Sequence, residues 1–148
     1  MLASAGDDYT VKLWQWNGET YQEKETLSSH SEAVRNISFS KDEDMMASAG
    51  DDYTVKLWQW NGKTYQKKAT LSGHTKPVRS VSFRHDGKIL ASASDDKIVK
   101  LWRLDENKKT YQHLYDLNKH TKPVRSVSFS KDGNMLASAG YDNTVKLW

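Results

Sequence analysis

The chain contains no cysteine, so neither disulfides nor thiolate metal sites hold it together. That absence fits a reducing compartment. Proline occurs only twice and glycine eight times in 148 residues, too few for a collagen-like or low-complexity chain. No apolar run reaches the length that spans a bilayer, and the mean hydropathy is negative; no membrane partner is expected. Residues 1–14 lack a basic start followed by an apolar run, so no secretory leader is expected and a cytoplasmic location is. No segment repeats apolar residues at helical spacing over three turns. A glycine-rich phosphate loop, a His-x-x-x-His pair and zinc-ligand spacings are also missing, and no cofactor or metal is expected.

What the chain has is repetition. The stretch "ASAGDDYTVKLWQWNG" stands at residues 3–18 and again, letter for letter, at 47–62. Looser copies follow, "ASASDDKIVKLW" at 91–102 and "ASAGYDNTVKLW" at 137–148. Their starts lie 44, 44 and 46 residues apart, a period that belongs to repeat architectures. Charge is uneven along the copies. Residues 1–44 hold four Lys/Arg against nine Asp/Glu, and residues 45–148 hold eighteen against ten, for a net +3. The basic part favours acidic partners or is a solvated surface.

One copy, read from His74, gives four short strands. "PVRSVSF" places Val78, Val81 and Phe83 on an apolar side, with one slip in the alternation. "HDG" is a turn, "KILASAS" a strand, "DDK" a turn, "IVKLWRL" a strand around Val99, Leu101 and Trp102, and "YQHLYDL" a fourth strand. Close spacing and turn residues predict an antiparallel meander. Asn17-Gly18 and Asn61-Gly62 predict hairpins. In the third copy that turn is "DENKK", two residues longer, which accounts for the spacing of 46. Gly87 and Gly133 follow Asp86 and Asp132 in the first turn, where positive φ is expected; Glu43 holds the same place and predicts about 1 kcal/mol of strain.

These residues resemble the tryptophan–aspartate (WD) repeat family of β-propellers over the whole chain. The pattern is a Gly-His pair, a Val-x-x-Val-x-Phe strand, an Asp-Gly turn, "LAS-x-x-x-D" and a strand ending "KLW". Two departures stand out. The family's Asp after Trp is Gln15, Gln59 or Arg103, and the Gly before His survives only as Gly73, with Ser29 and Lys119 elsewhere. The near-identity of the copies is similar to that of highly repetitive bacterial WD propellers. The resemblance implies an all-β fold of four-stranded blades. The expected division is a partial blade at 1–28 (strands two to four), blades at 29–72 and 73–118, and a partial blade at 119–148 (strands one to three).

Each complete copy holds a Ser, a His and an Asp, which a motif search reads as a hydrolase triad. The resemblance implies another role: His30, Ser48, Asp52 and Trp58, then His74, Ser92, Asp96 and Trp102, then His120, Ser138, Asp142 and Trp148 form structural hydrogen-bond networks, one per blade. Three copies of one active site in one domain are not expected, so no catalytic residue and no enzyme is expected. Asp7-Asp8, Asp51-Asp52 and Asp95-Asp96 read as a network member beside a loop residue in preference to a cation site. The six Trp, spread by repeat, read as packing in preference to base stacking, and nucleic acid is not an expected partner.

The resemblance also implies a partner-binding top face at three positions per blade: Ala33, Arg35 and Asp51; Pro77, Arg79 and Asp95; Pro123, Arg125 and Tyr141; and Asp7 in the first copy. The expected partner is a protein or peptide, acidic or phosphorylated. An Arg recurs in every complete copy, and each guanidinium either grips a partner's oxyanion or pairs internally with Asp. The copies sum to about three and a half blades, fewer than closed rings contain. The expectation is therefore either a segment of a larger protein or a self-associating chain that completes a ring. Met1 aligns with Met45 and Met135, which fits an internal methionine.

Overall fold

The computed structural model describes residues 1–148. It contains fourteen strands and no helix. The first sheet is β1 (Leu2–Ala5), β2 (Thr10–Trp16) and β3 (Tyr21–Ser28); the second is β4 (Val34–Phe39), β5 (Met45–Gly50), β6 (Val55–Trp60) and β7 (Tyr65–Leu71). The third is β8 (Val78–Phe83), β9 (Ile89–Ser94), β10 (Val99–Asp105) and β11 (Thr110–Leu117); the last is β12 (Val124–Phe129), β13 (Leu136–Gly140) and β14 (Val145–Leu147). Every pairing is antiparallel between chain neighbours. The four sheets stand side by side as an open, incomplete ring, with β4, β8 and β12 adjacent along its inner edge.

The packing follows from what each face carries. In the second sheet, Ala47, Ala49, Val55 and Leu57 project to one side, and Met46, Trp58 and Tyr65 to the other. The side chains of a strand alternate, so both sets come from the same two or three strands. The small face of one sheet meets the aromatic face of the next. Ala47, Ala49, Val55, Leu57 and Leu71 pack on Leu90, Trp102 and Tyr111; Val11, Leu13 and Leu27 pack on Met46, Trp58 and Tyr65. Alanine and serine in β5 and β9 let neighbouring sheets approach closely, which leaves those strands buried on both faces.

Two irregularities recur. One is a bulge before the β-strand tryptophan, at Leu13/Trp14, Leu57/Trp58 and Leu101/Trp102. The other lies in the inner strand, between Val34 and Asn36, Val78 and Ser80, and Val124 and Ser126. The extra residue of each inner bulge is Arg35, Arg79 or Arg125, and the slip in the Val78–Val81 alternation is this bulge. A bulge frees one residue from the ladder and re-aims its side chain.

The turns differ in detail from the simplest hairpin. Trp16 pairs with Tyr21 and Trp60 with Tyr65, so the Asn-Gly loops hold four residues. Only the glycine is left-handed, with φ +105° at Gly18 and +94° at Gly62. The Asn17 carboxamide oxygen accepts the backbone N–H of Glu19 and Thr20. Glu43 has φ +55° where Gly87 and Gly133 have +68° and +73°. Tyr9, Tyr53, Lys97 and Asn143 are also left-handed, each directly after the Asp of the second tight turn, and glycine is used in none of the four.

Candidate functional site

Two polar constellations repeat around the ring. The first is buried. His30 Nδ1 lies 2.8 Å from Asp52 Oδ2, His30 Nε2 lies 2.7 Å from Ser48 Oγ, and Trp58 Nε1 donates to the same Oγ at 2.9 Å. His74, Asp96, Ser92 and Trp102 reproduce it at 2.7, 2.8 and 2.9 Å. His120, Asp142, Ser138 and Trp148 do so at 2.8, 2.8 and 3.0 Å. The first sheet keeps only Trp14 Nε1 to Ser4 Oγ, at 2.9 Å, and Asp8 bonded to Thr10.

Donor logic assigns every proton. Indole Nε1–H only donates, so Ser48 accepts from Trp58 and gives its own proton to His30 Nε2; Nδ1–H is then left to donate to the Asp52 carboxylate. This chain is complete with a neutral imidazole. A proton on Nε2 would face a hydroxyl that has no second acceptor. Burial accordingly pulls the His30 pKa below its ordinary value, against the attraction of Asp52. Burial works against ionisation of Asp52 and Asp96, but hydrogen bonds from Thr54 and His30, and from His74 and Ile98, outweigh it and hold both carboxyls low.

The Ser–His–Asp order and distances match those of a hydrolytic relay. The surroundings differ. Ser48 and Ser92 are 0 % exposed, and each hydroxyl oxygen already accepts a Trp Nε1–H. What the arrangement does physically is tie three separate elements together: the loop carrying His, the second strand carrying Ser and the tight turn carrying Asp.

The second constellation lies on the rim and is built by the inner bulges. Arg35 Nε donates to Asp51 Oδ2 at 2.8 Å, its Nη2 reaches the same oxygen, and its Nη1 donates to Asp7 Oδ1 at 2.6 Å. Arg79 repeats this with Asp95 Oδ2 at 2.9 and 2.6 Å and with Asp51 Oδ1 at 2.6 Å. Each Arg therefore grips the Asp of its own sheet along one edge and the Asp of the preceding sheet along the other. The result is a ladder, Asp7–Arg35–Asp51–Arg79–Asp95–Arg125, that crosses all four sheets. At its end the own-sheet position is Tyr141. Arg125 Nη1 lies 3.2 Å from Asp95 Oδ1, and its guanidinium carbon sits 4.2 Å from the centre of the Tyr141 ring.

The structure thus pairs Arg35 and Arg79 internally; neither is a free cation. Hydrogen bonding to Asp51 holds the Arg35 pKa above its usual value. Ala33 is buried, so its side chain is no contact surface. Ala33, Pro77 and Pro123 use their carbonyls, which accept the N–H of Asp51, Asp95 and Tyr141 at 2.8, 3.0 and 2.8 Å. They fasten the ladder's turns to the loops before each inner strand.

Sequence reading missed a third set. Asn36 Oδ1 and Ser38 Oγ accept the N–H of Val81 and Phe83, and Ser80 Oγ and Ser82 Oγ accept those of Val127 and Phe129. Side chains of one inner strand thereby satisfy the free edge of the next. The signal was present as a polar pair two apart in each inner strand. Tyr65 and Tyr111 were missed too; their hydroxyls donate to the carbonyls of Glu43 and Gly87 across the first turn.

Radially placed antiparallel sheets, three of the four locked by a buried His–Ser–Asp–Trp network, define a β-propeller architecture. The chain belongs to the WD domain, G-beta repeat family, whose model matches residues 21–59, 65–103 and 111–148. Each match starts at the outer strand of one sheet and ends in the third strand of the next, so the repeat unit staples two blades. The family is one of protein-interaction scaffolds. No curated protein matches the chain.

Proposed function

We propose that the chain is a non-catalytic scaffold or sensor module that binds a protein or peptide, acidic or phosphorylated, through the ladder rim. The observation that carries this is the rim itself: three bulged arginines, Arg35 and Arg79 each tied to aspartates of two sheets and Arg125 to Asp95 alone, hold a patterned charged rim. Pattern of this kind selects partners by charge complementarity. The positions assigned to it are Asp7, Arg35, Asp51, Arg79, Asp95, Arg125 and Tyr141, framed by Ala33, Pro77 and Pro123. A photoreactive residue at position 7 or 141 tests it, with position 131 on the opposite turns as the reference. Crosslinks to one partner from the rim alone are expected; equal labelling from position 131 overturns the assignment. Ester hydrolysis that disappears in Ser92→Ala with the fold intact would overturn the non-catalytic part.

A second reading, self-association, is favoured by a different observation. Val145 and Leu147 are 68 % and 66 % exposed, where the matching Val55 and Leu57 are 0 %. At the other end Leu2, Trp16 and Tyr21 are exposed. The bare aliphatic face and the bare aromatic face carry the residue types that pack on each other inside the chain, so two copies fit head to tail. Light scattering at micromolar concentration tests this; a single monodisperse monomer eliminates it.

A further inference from the structure

We propose that Arg125, seated on Tyr141 at the end of the ladder, is the rim's binding point for a carboxylate side chain of an acidic partner segment; the inference rests on the rim reading above and deepens it. The two internal copies show what this guanidinium edge takes. Arg35 and Arg79 each direct Nε and Nη2 to one carboxylate oxygen, on Asp51 and on Asp95. In the last sheet Tyr141 stands where that aspartate would be, and Arg125 Nε is buried without a hydrogen-bond partner. The other edge is looser as well, 3.2 Å from Asp95 against 2.6 Å for Arg79 and Asp51.

The remaining features prepare the same fork. The inner bulge between Val124 and Ser126 aims Arg125 as its counterparts aim theirs. The Tyr141 ring supports the guanidinium face at 4.2 Å, and a stacked guanidinium keeps its N–H donors in the plane for bidentate contact. A third of the Arg125 side chain is exposed. Arg125 Nε is itself buried, so in this proposal the exposed Tyr141 ring turns aside as the ligand reaches it. Replacing aspartate by tyrosine also removes one negative charge from this sheet's rim, and exposed Lys122 in the adjoining loop adds a positive one. A partner's Asp or Glu would restore the two-donor grip that sheets two and three already contain, at a charge-assisted hydrogen bond's strength.

The experiment is a titration of the 15N-labelled chain with a hexaglutamate peptide, followed at the arginine Nε–Hε resonances, with hexaglutamine as the uncharged reference. Hexaglutamate should shift Arg125 saturably and hexaglutamine should not. Tyr141→Asp installs the residue found at positions 51 and 95, so the fold is kept, and an internal carboxylate then competes for the fork. It should weaken hexaglutamate binding about tenfold, the factor one charge-assisted hydrogen bond is worth, with an unchanged or higher thermal midpoint. Undiminished binding in folded Tyr141→Asp overturns the proposal. Shifts at Arg35 and Arg79 without Arg125 also overturn it while leaving the rim reading standing. No shift at any arginine overturns it too, and the crosslinking test then judges the rim on its own.

Discussion

Asp96→Ala isolates what a blade network contributes. The carboxylate accepts three hydrogen bonds: from His74 Nδ1 at 2.7 Å, from the Thr75 N–H at 3.2 Å and from the Ile98 N–H at 3.0 Å. The His74 side chain is 1 % exposed, so its Nδ1–H loses its acceptor without gaining water, at a cost of about 1–3 kcal/mol. The Thr75 N–H lies at the surface, where water replaces the aspartate. The sum is about 2–3 kcal/mol, which lowers the melting temperature of a chain this size by roughly 5–10 °C. The first sheet supplies the reference. Asp8 accepts only from Thr10 and has no histidine, so Asp8→Ala should leave the melting curve in place. Asp96→Asn keeps an oxygen toward His74 and gives up only the Ile98 bond; it should fall between the two. Thermal unfolding followed by circular dichroism measures all three. Equal shifts for Asp96→Ala and Asp8→Ala, or a larger loss in Asp96→Asn than in Asp96→Ala, would refute the reasoning.

Glu43→Gly should stabilise the chain by about 1 kcal/mol, because Glu43 has φ +55° and glycine occupies that conformation without a Cβ penalty; urea denaturation reads the gain, and a loss would place the strain elsewhere. Acid should destabilise the fold in two stages. His30, held neutral by burial, contributes stability above about pH 6.5 that is lost as pH falls. Asp52 and Asp96, whose folded pKa values are depressed, contribute stability present above about pH 4 and lost below it. A His30→Gln chain should lack the first stage in a pH series of melting curves. Burial pushes Tyr65 and Tyr111 up to about 12, so stability should persist to about pH 10 and decline above it. Ultraviolet titration should show two of the seven tyrosines ionising last.

Strand order, the blade and the residues of the buried network were legible because each was written several times at one period. Repetition turned weak signals, such as Ser48 ten residues before Trp58, into aligned columns. The rim was harder for a physical reason. Arg79 and Asp51 are 28 positions apart and on different sheets, and no local pattern reports that distance. The slip after Val78 marked the bulge but not its purpose. Ala33 illustrates the reverse error: a position assigned to the top face by resemblance is buried, and only its carbonyl reaches the turn. The same pattern held the Tyr141 difference in plain view, yet its meaning depended on knowing that Arg125 leans on that site.

The duplication of residues 2–14 at 136–148, altered at only two positions, bears on how the chain finds its pairing during folding. Side chains on β12 meet nearly the same partner in β1, β5, β9 or β13, so chemistry hardly distinguishes right from wrong strands. Entropy does. β13 is tethered to β12 by six residues, whereas β1 lies about 120 residues away, and closing the longer loop costs about 3 kcal/mol more. Fidelity of this repeat array is therefore kinetic and concentration-dependent: dilute refolding favours the tethered neighbour, and crowding invites exchange between copies.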